Sequence, residues 1–241
     1  MTARIDLAAY VVELEAFAEL AEEFVVKSST LRLAEVISGL KTGVDRGLAK
    51  WTWETRSEIV FRPSTAYDGP GRTYAETWLD LGFKFEFVRP AAVQKRVSVW
   101  QIANGATHLT IRKDGGNLPF HFDYKNPKQW GPQMHFQVSE ALGNLPIPRI
   151  MSPIFLPSDC ADLALAELHP EEWRRFQAAG NSSRHVSVMR DAQEHRTMSY
   201  LRNIGTIWLS NRTSTRVCML QDYTANSFTL PDQRGRTASS W

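Results

Sequence analysis

Two hydrophobic periods alternate along this chain, and the points where one gives way to the other mark out its elements. Leu7, Val11, Leu14, Phe17, Ala21, Phe24 and Val25 recur at helical spacing behind Asp6. The opening stretch therefore predicts a helix of about five to six turns, N-capped by Asp6, with its glutamates on the wet side. A second, weaker helical pattern runs over 31–50 and carries Gly39, Gly43 and Gly47 at every fourth position. Each glycine costs about 1 kcal/mol against alanine in a helix, so the spacing reads as a stripe for close packing. From Trp51 the period changes to two: Trp51, Trp53, Thr55, Ile59 and Phe61 predict a strand, and 63–72 a loop. The cleanest alternation is 77–88, where Leu79, Leu81, Phe83, Phe85 and Phe87 interleave with Asp80, Gly82, Lys84 and Glu86. That pattern belongs to a long antiparallel strand with one buried face.

The stretch 98–138 reads as four consecutive short strands. Asn104-Gly105 supplies a hairpin between 98–103 and 107–113, Asp114-Gly115-Gly116 turns the chain into 118–125, and a Pro/Trp/Gly loop leads to 134–138. Leu109, Ile111, Phe120, Phe122, Tyr124, Met134, Phe136 and Val138 then fall on one face, and His108, His121 and His135 on the other. Beyond it, 145–153 is a proline-punctuated crossing, expected as a buried loop or an edge segment. Ser158 or Asp159 caps a helix carrying Ala161, Leu165 and Leu168, which Pro170 interrupts before Trp173 and Phe176. The last long segment, 184–210, repeats Val188, Met189, Ala192, His195, Met198, Leu201, Ile204 and Trp208 at helical spacing. The expected fold class is α+β: a mostly antiparallel meander over about residues 77–138, joined by 53–61 and covered on its apolar face by N- and C-terminal helices. One domain is expected over 1–223, with helices to residue 50, sheet over 51–140 and helices over 158–210. The Ser/Thr/Gly/Arg-rich stretch 224–241 is expected to be a loose tail.

Composition changes this picture little. With 241 residues and 43% hydrophobic content the chain can bury a core without disulfides, and its two cysteines, Cys160 and Cys218, form no disulfide framework. No signal-peptide order and no membrane-length apolar run is present, so a cytoplasmic protein without membrane contact is expected. A net charge of +2 is too small to define a nucleic-acid binder. Its distribution is uneven: Glu13, Glu15, Glu19, Glu22 and Glu23 crowd the first helix, while Arg184, Arg190, Arg196 and Arg202 line the last. Those two faces either meet partners or meet each other.

Candidate chemistry concentrates on the histidine face. Alternation aligns His108, Thr110 and Arg112 with His121, Asp123 and Lys125 and with His135 and Gln137, on strands about 4.8 Å apart. Three imidazoles would suit a catalytic divalent metal, whereas one imidazole beside Asp123 would suit a general base. In either case Arg112 and Lys125 are the candidate phosphate-binding residues. No phosphate-binding glycine loop, CxxC pair or G-x-S-x-G elbow occurs.

Two short segments, His108-Leu109-Thr110-Ile111 and His185-Val186-Ser187-Val188, resemble the paired H-Φ-[S/T]-Φ motifs of the 2H phosphoesterases. The resemblance implies two strand-borne histidines acting as acid and base on a phosphodiester, although helical periodicity around 184–210 places His185 on a helix. Asp114 with Asp123-Tyr124-Lys125 resembles a PD-(D/E)xK nuclease arrangement, which implies carboxylate-held Mg²⁺ and a lysine that orients water. The function expected is hydrolysis of a phosphodiester or nucleic acid, with His108, Thr110, His121, Asp123 and His135 as catalytic residues. The competing expectation is a non-catalytic subunit of a larger protein or nucleoprotein assembly that contacts partners through the acidic first or basic last helix.

Overall fold

The computed structural model describes residues 3–64, 76–90, 98–113, 115–124, 134–138, 150–178 and 184–210. Among these residues eight strands, all pairing antiparallel, form one sheet: β1 (Ala3–Asp6), β2 (Lys50–Glu54), β3 (Ile59–Val60), β4 (Thr77–Val88), β5 (Val99–Lys113), β6 (Gly116–Tyr124), β7 (Met134–Val138) and β8 (Ile150–Met151). The order β2-β4-β5-β6-β7-β8 follows the chain, as a meander requires. β2 and β3 are successive pieces of the strand expected over 51–61; both pair with β4, and residues 55–58 bow out between them. β8 is the edge segment expected in the proline-rich crossing.

The expected hairpin at Asn104-Gly105 does not form. β5 runs unbroken from Val99 to Lys113, and Gly105 lies within it, opposite Phe85. A side chain at Gly105 would place its Cβ 2.3 Å from the Phe85 ring, so glycine is required for close approach and not for a turn. The chain turns between Lys113 and Gly116, which pair directly, and Gly115 has φ +75° there. A register shift between Glu86 and Phe87 adds a bulge to the β4–β5 ladder.

Among the described residues there are five helices: α1 (Leu7–Ala21), α2 (Lys27–Asp45), α3 (Pro157–Leu168), α4 (Pro170–Ala178) and α5 (Arg184–Ser210). Asp6 caps α1 as expected, accepting hydrogen bonds from Ala8 N and Ala9 N. α2 ends at Asp45, short of the expected residue 50, because Gly47 (φ +66°) turns the chain towards β2. Its Gly43 meets Trp51 so closely that a Cβ would lie 2.1 Å from the ring. α3 begins at Pro157, where Asp159 accepts a hydrogen bond from Leu156 N at 3.0 Å.

The core lies where α1, α2 and α3 meet the apolar sheet face and is built from Tyr10, Phe17, Trp53, Phe85, Phe87 and Trp100 among others. α5 packs along α1 and adds Met189 to that core. Its inner side differs from the expected stripe: His195, Met198 and Leu201 are exposed, and Arg196 turns inward. Glu13, expected on the wet side of α1, is the reason. It is buried and accepts two hydrogen bonds from Arg196, at 2.7 and 2.8 Å. Arg184 of α5 pairs with Glu15 and Glu19, and Lys41 of α2 with Glu15. The acidic and basic faces therefore meet each other.

Candidate functional site

The polar sheet face is where strand register decides which groups converge. In the β5–β6 ladder His108 lies directly opposite His121, and in the β6–β7 ladder Asp123 lies directly opposite His135. Because β6 carries both His121 and Asp123, one strand links the two pairs. Directly paired side chains on one face stand about 5 Å apart, so this register brings the groups together. His121 Nε2 lies 3.4 Å from Asp123 Oδ2, and His135 Nε2 lies 3.7 Å from the same oxygen. Ligand-capable atoms of the three residues all fall within 4.8 Å of one another. The His108 and His121 rings are 5.7 Å apart between centroids, at 49°.

Burial is graded across these four residues. The His135 side chain has no exposed surface, Asp123 keeps 5% and His121 16%, while His108 is exposed. The cluster therefore opens at its His108 end and is closed at His135. A buried carboxylate needs polar neighbours, and both imidazole Nε2 atoms face its Oδ2.

Aromatic packing behind the sheet fixes the strands that carry these residues. Phe122, between His121 and Asp123 in sequence, points to the opposite face and packs on Phe155 (4.6 Å) and Phe136 (5.1 Å). Phe120 lies 5.7 Å from Phe136, and Thr107 donates a hydrogen bond to Phe155 O at 3.3 Å. Each polar residue of the site thus has an apolar neighbour in the next position locked into the core, which limits sliding of one strand past another.

The other expected site residues are placed differently. Thr110 lies two positions further along β5, between Asp80 and Pro119 in the sheet. Arg112 lies four positions from His108, roughly 13 Å along the strand. Its guanidinium is engaged by Asp80 in a bidentate pair at 2.6 and 2.8 Å, above the Trp78 ring. Lys125 and Asp114 lie outside the described residues, and with them the nuclease-like arrangement. His185 begins α5, so the two H-Φ-[S/T]-Φ segments do not stand on two related strands; helical periodicity overrides the motif there.

A second polar group was invisible in the sequence because its members are far apart. Arg196 reaches Glu13 of α1 and Asp159 of α3 with the same guanidinium, and Ser158 donates to Glu13 at 3.1 Å. Tyr10 and Ser158 share a hydrogen bond at 3.3 Å. Burial pushes the Glu13 carboxyl above its ordinary range, while Arg196 pulls it down. Asp159 and Glu13 in turn hold the Arg196 proton more tightly. The only sequence signal was an inward-facing acid at the helical spacing of Tyr10 and Phe17.

Neither a protein-family model, nor a curated protein, nor a solved structure matches this chain. Among the described residues, no helix is long and apolar enough to cross a membrane. The α+β fold and the His121/Asp123/His135 cluster are therefore what defines the protein.

Proposed function

We propose that the protein is a hydrolase-type enzyme whose centre is the His121/Asp123/His135 cluster, with His108 at its open end and a phosphodiester as the substrate class. The observation that carries this reading is convergence. Two imidazoles aim Nε2 at one oxygen of a nearly buried carboxylate, and a third imidazole stands at the solvent side of the group. Hydrolysis needs a water made nucleophilic on one side and a proton delivered to the leaving oxygen on the other. The cluster supplies the first requirement and His108 the second. Asp123 Oδ2 faces both imidazole Nε2 atoms and holds the two rings in place. Arg112, expected to receive the phosphate, is occupied by Asp80. The substrate would instead enter at the open, His108 end of the cluster.

The test is turnover of bis(p-nitrophenyl) phosphate by the purified protein and by His121→Ala, Asp123→Asn and His108→Ala. His121 and His108 are the least buried members, so their variants should keep the wild-type melting temperature within a degree or two. General acid–base groups contribute on the order of 10²–10⁴ in rate, and losses of that size are expected. A folded His121→Ala protein with full activity, or a wild type inert towards phosphodiesters, would sink the reading.

A further inference from the structure

The geometry points to His121, Asp123 and His135 as ligands of one divalent transition-metal ion, bound with positions left open towards His108. This deepens the hydrolase reading by naming how water is activated at the same cluster, and it stands on separate geometry. Bonds of about 2.0–2.2 Å from a tetrahedral ion to nitrogen and oxygen set neighbouring ligand atoms about 3.4 Å apart. The two imidazole nitrogens stand 3.4 and 3.7 Å from Asp123 Oδ2, already close to that edge length. The remaining pair of ligand atoms lies within 4.8 Å, so about an ångström of side-chain adjustment closes the set. Strand register supplies the preorganisation: Asp123 and His135 face each other across β6 and β7, and His121 precedes Asp123 by two residues on the same side.

Donor chemistry narrows the ion. Two imidazoles and one carboxylate suit Zn²⁺, Fe²⁺, Co²⁺ or Mn²⁺, whereas Mg²⁺ and Ca²⁺ prefer sites made of oxygen alone. Three protein ligands leave at least one position for water, which distinguishes catalytic from closed structural sites. The burial gradient puts that position on the accessible side, since His135 is enclosed and His121 is partly open. His108 is not among the three mutually close ligand residues. Its ring stands 5.7 Å from that of His121, where it can exchange protons with a metal-bound water without holding the ion. An ion here also supplies the positive charge that a nearly buried Asp123 calls for.

The experiment is calorimetric titration of Zn²⁺ into chelator-treated full-length protein, repeated with Mg²⁺, and with Co²⁺ followed by its visible spectrum. Three variants accompany the wild type: His121→Asn, Asp123→Asn and His108→Asn, each checked for folding by circular dichroism. One Zn²⁺ should bind per chain, with the intense visible bands of low-coordinate Co²⁺. Affinity should fall at least a hundredfold in His121→Asn and Asp123→Asn, more than removal of an outer-shell partner usually costs. His108→Asn should bind as the wild type does. His135 is fully enclosed, so the proposal does not depend on a variant there that fails to fold. Absence of Zn²⁺ binding, binding that survives both ligand variants, or a preference for Mg²⁺ would each overturn it. If Zn²⁺ binds as described while no phosphodiester turns over, the metal site stands and the hydrolase reading falls. If His121→Asn and Asp123→Asn abolish hydrolysis in a protein that binds no metal, the reverse holds.

Discussion

Alanine at Gly43 and at Gly39 should move stability in opposite directions, although both positions lie in α2 and both changes favour a helix equally. Removing a helical glycine gains about 0.5–1 kcal/mol. At Gly39 the nearest heavy atom to an added Cβ is Trp53 Cδ1 at 3.9 Å, an ordinary contact, so the gain is kept. At Gly43 the same atom would lie 2.1, 2.4 and 2.4 Å from three carbons of the Trp51 ring. Trp51 cannot retreat freely, because it packs on Phe87 at 5.0 Å and edge-on to Trp100 at 5.8 Å, and is 9% exposed. Overpacking of a tight core costs about 1–3 kcal/mol, and a clash of this depth belongs at the upper end. After the helix gain is subtracted, Gly43→Ala should lose roughly 2–2.5 kcal/mol and Gly39→Ala should gain roughly 0.5–1. For a domain of this size each kcal/mol corresponds to about 2–4 °C in melting temperature, so the variants should bracket the wild type by several degrees. Urea and thermal unfolding followed by circular dichroism read this out directly. A Gly43→Ala protein as stable as the wild type would refute the close packing of α2 on β2.

Three further outcomes follow from other contacts. Arg196→Ala leaves Glu13 and Asp159 buried without their shared cation and should cost about 3–5 kcal/mol in urea unfolding, much of it recovered in a Glu13→Gln/Arg196→Met double variant. Burial lowers the proton affinity of His169, so between its depressed folded value and the ordinary value near 6.5 the unfolded chain binds more protons. Stability should therefore be level above about pH 6.5 and fall as pH drops below it, and His169→Gln should flatten that slope in melting curves. Gly105→Ala should destabilise by about 1–3 kcal/mol, because its Cβ would press on the Phe85 ring at 2.3 Å; equal stability would mean that β5 bends at Gly105 after all.

What the chain discloses in advance depends on the range over which each residue acts. The alternation of Leu79 to Phe87, the Asp6 cap and the turn carrying Gly115 are local, and each produced the element it predicts. Asn104-Gly105 has the same local signature as a hairpin, but its glycine answers to Phe85 on another strand, which no window around it contains. Glu13 and Arg196 lie 183 residues apart, so an acid on α1 and an arginine on α5 read as wet-side charges until the fold joins them. The common facing of His108, His121 and His135 followed from strand alternation alone. The pairing of Asp123 with His135, and the separation of Arg112 from the cluster, required the register.

The same long-range closure sets an order on assembly. β5, β6 and β7 lie close together in sequence, so the strands bearing the histidines can pair once residue 138 has been made. α1 must wait far longer: β1 finds its place on β5 nearly a hundred residues later, and Glu13 is neutralised only when Arg196 emerges. At a synthesis rate of about 5–20 residues per second, Glu13 waits roughly ten seconds or more for Arg196. The nascent chain therefore passes through a stage in which its histidine-bearing strands are formed but Glu13 of its first helix still waits for Arg196.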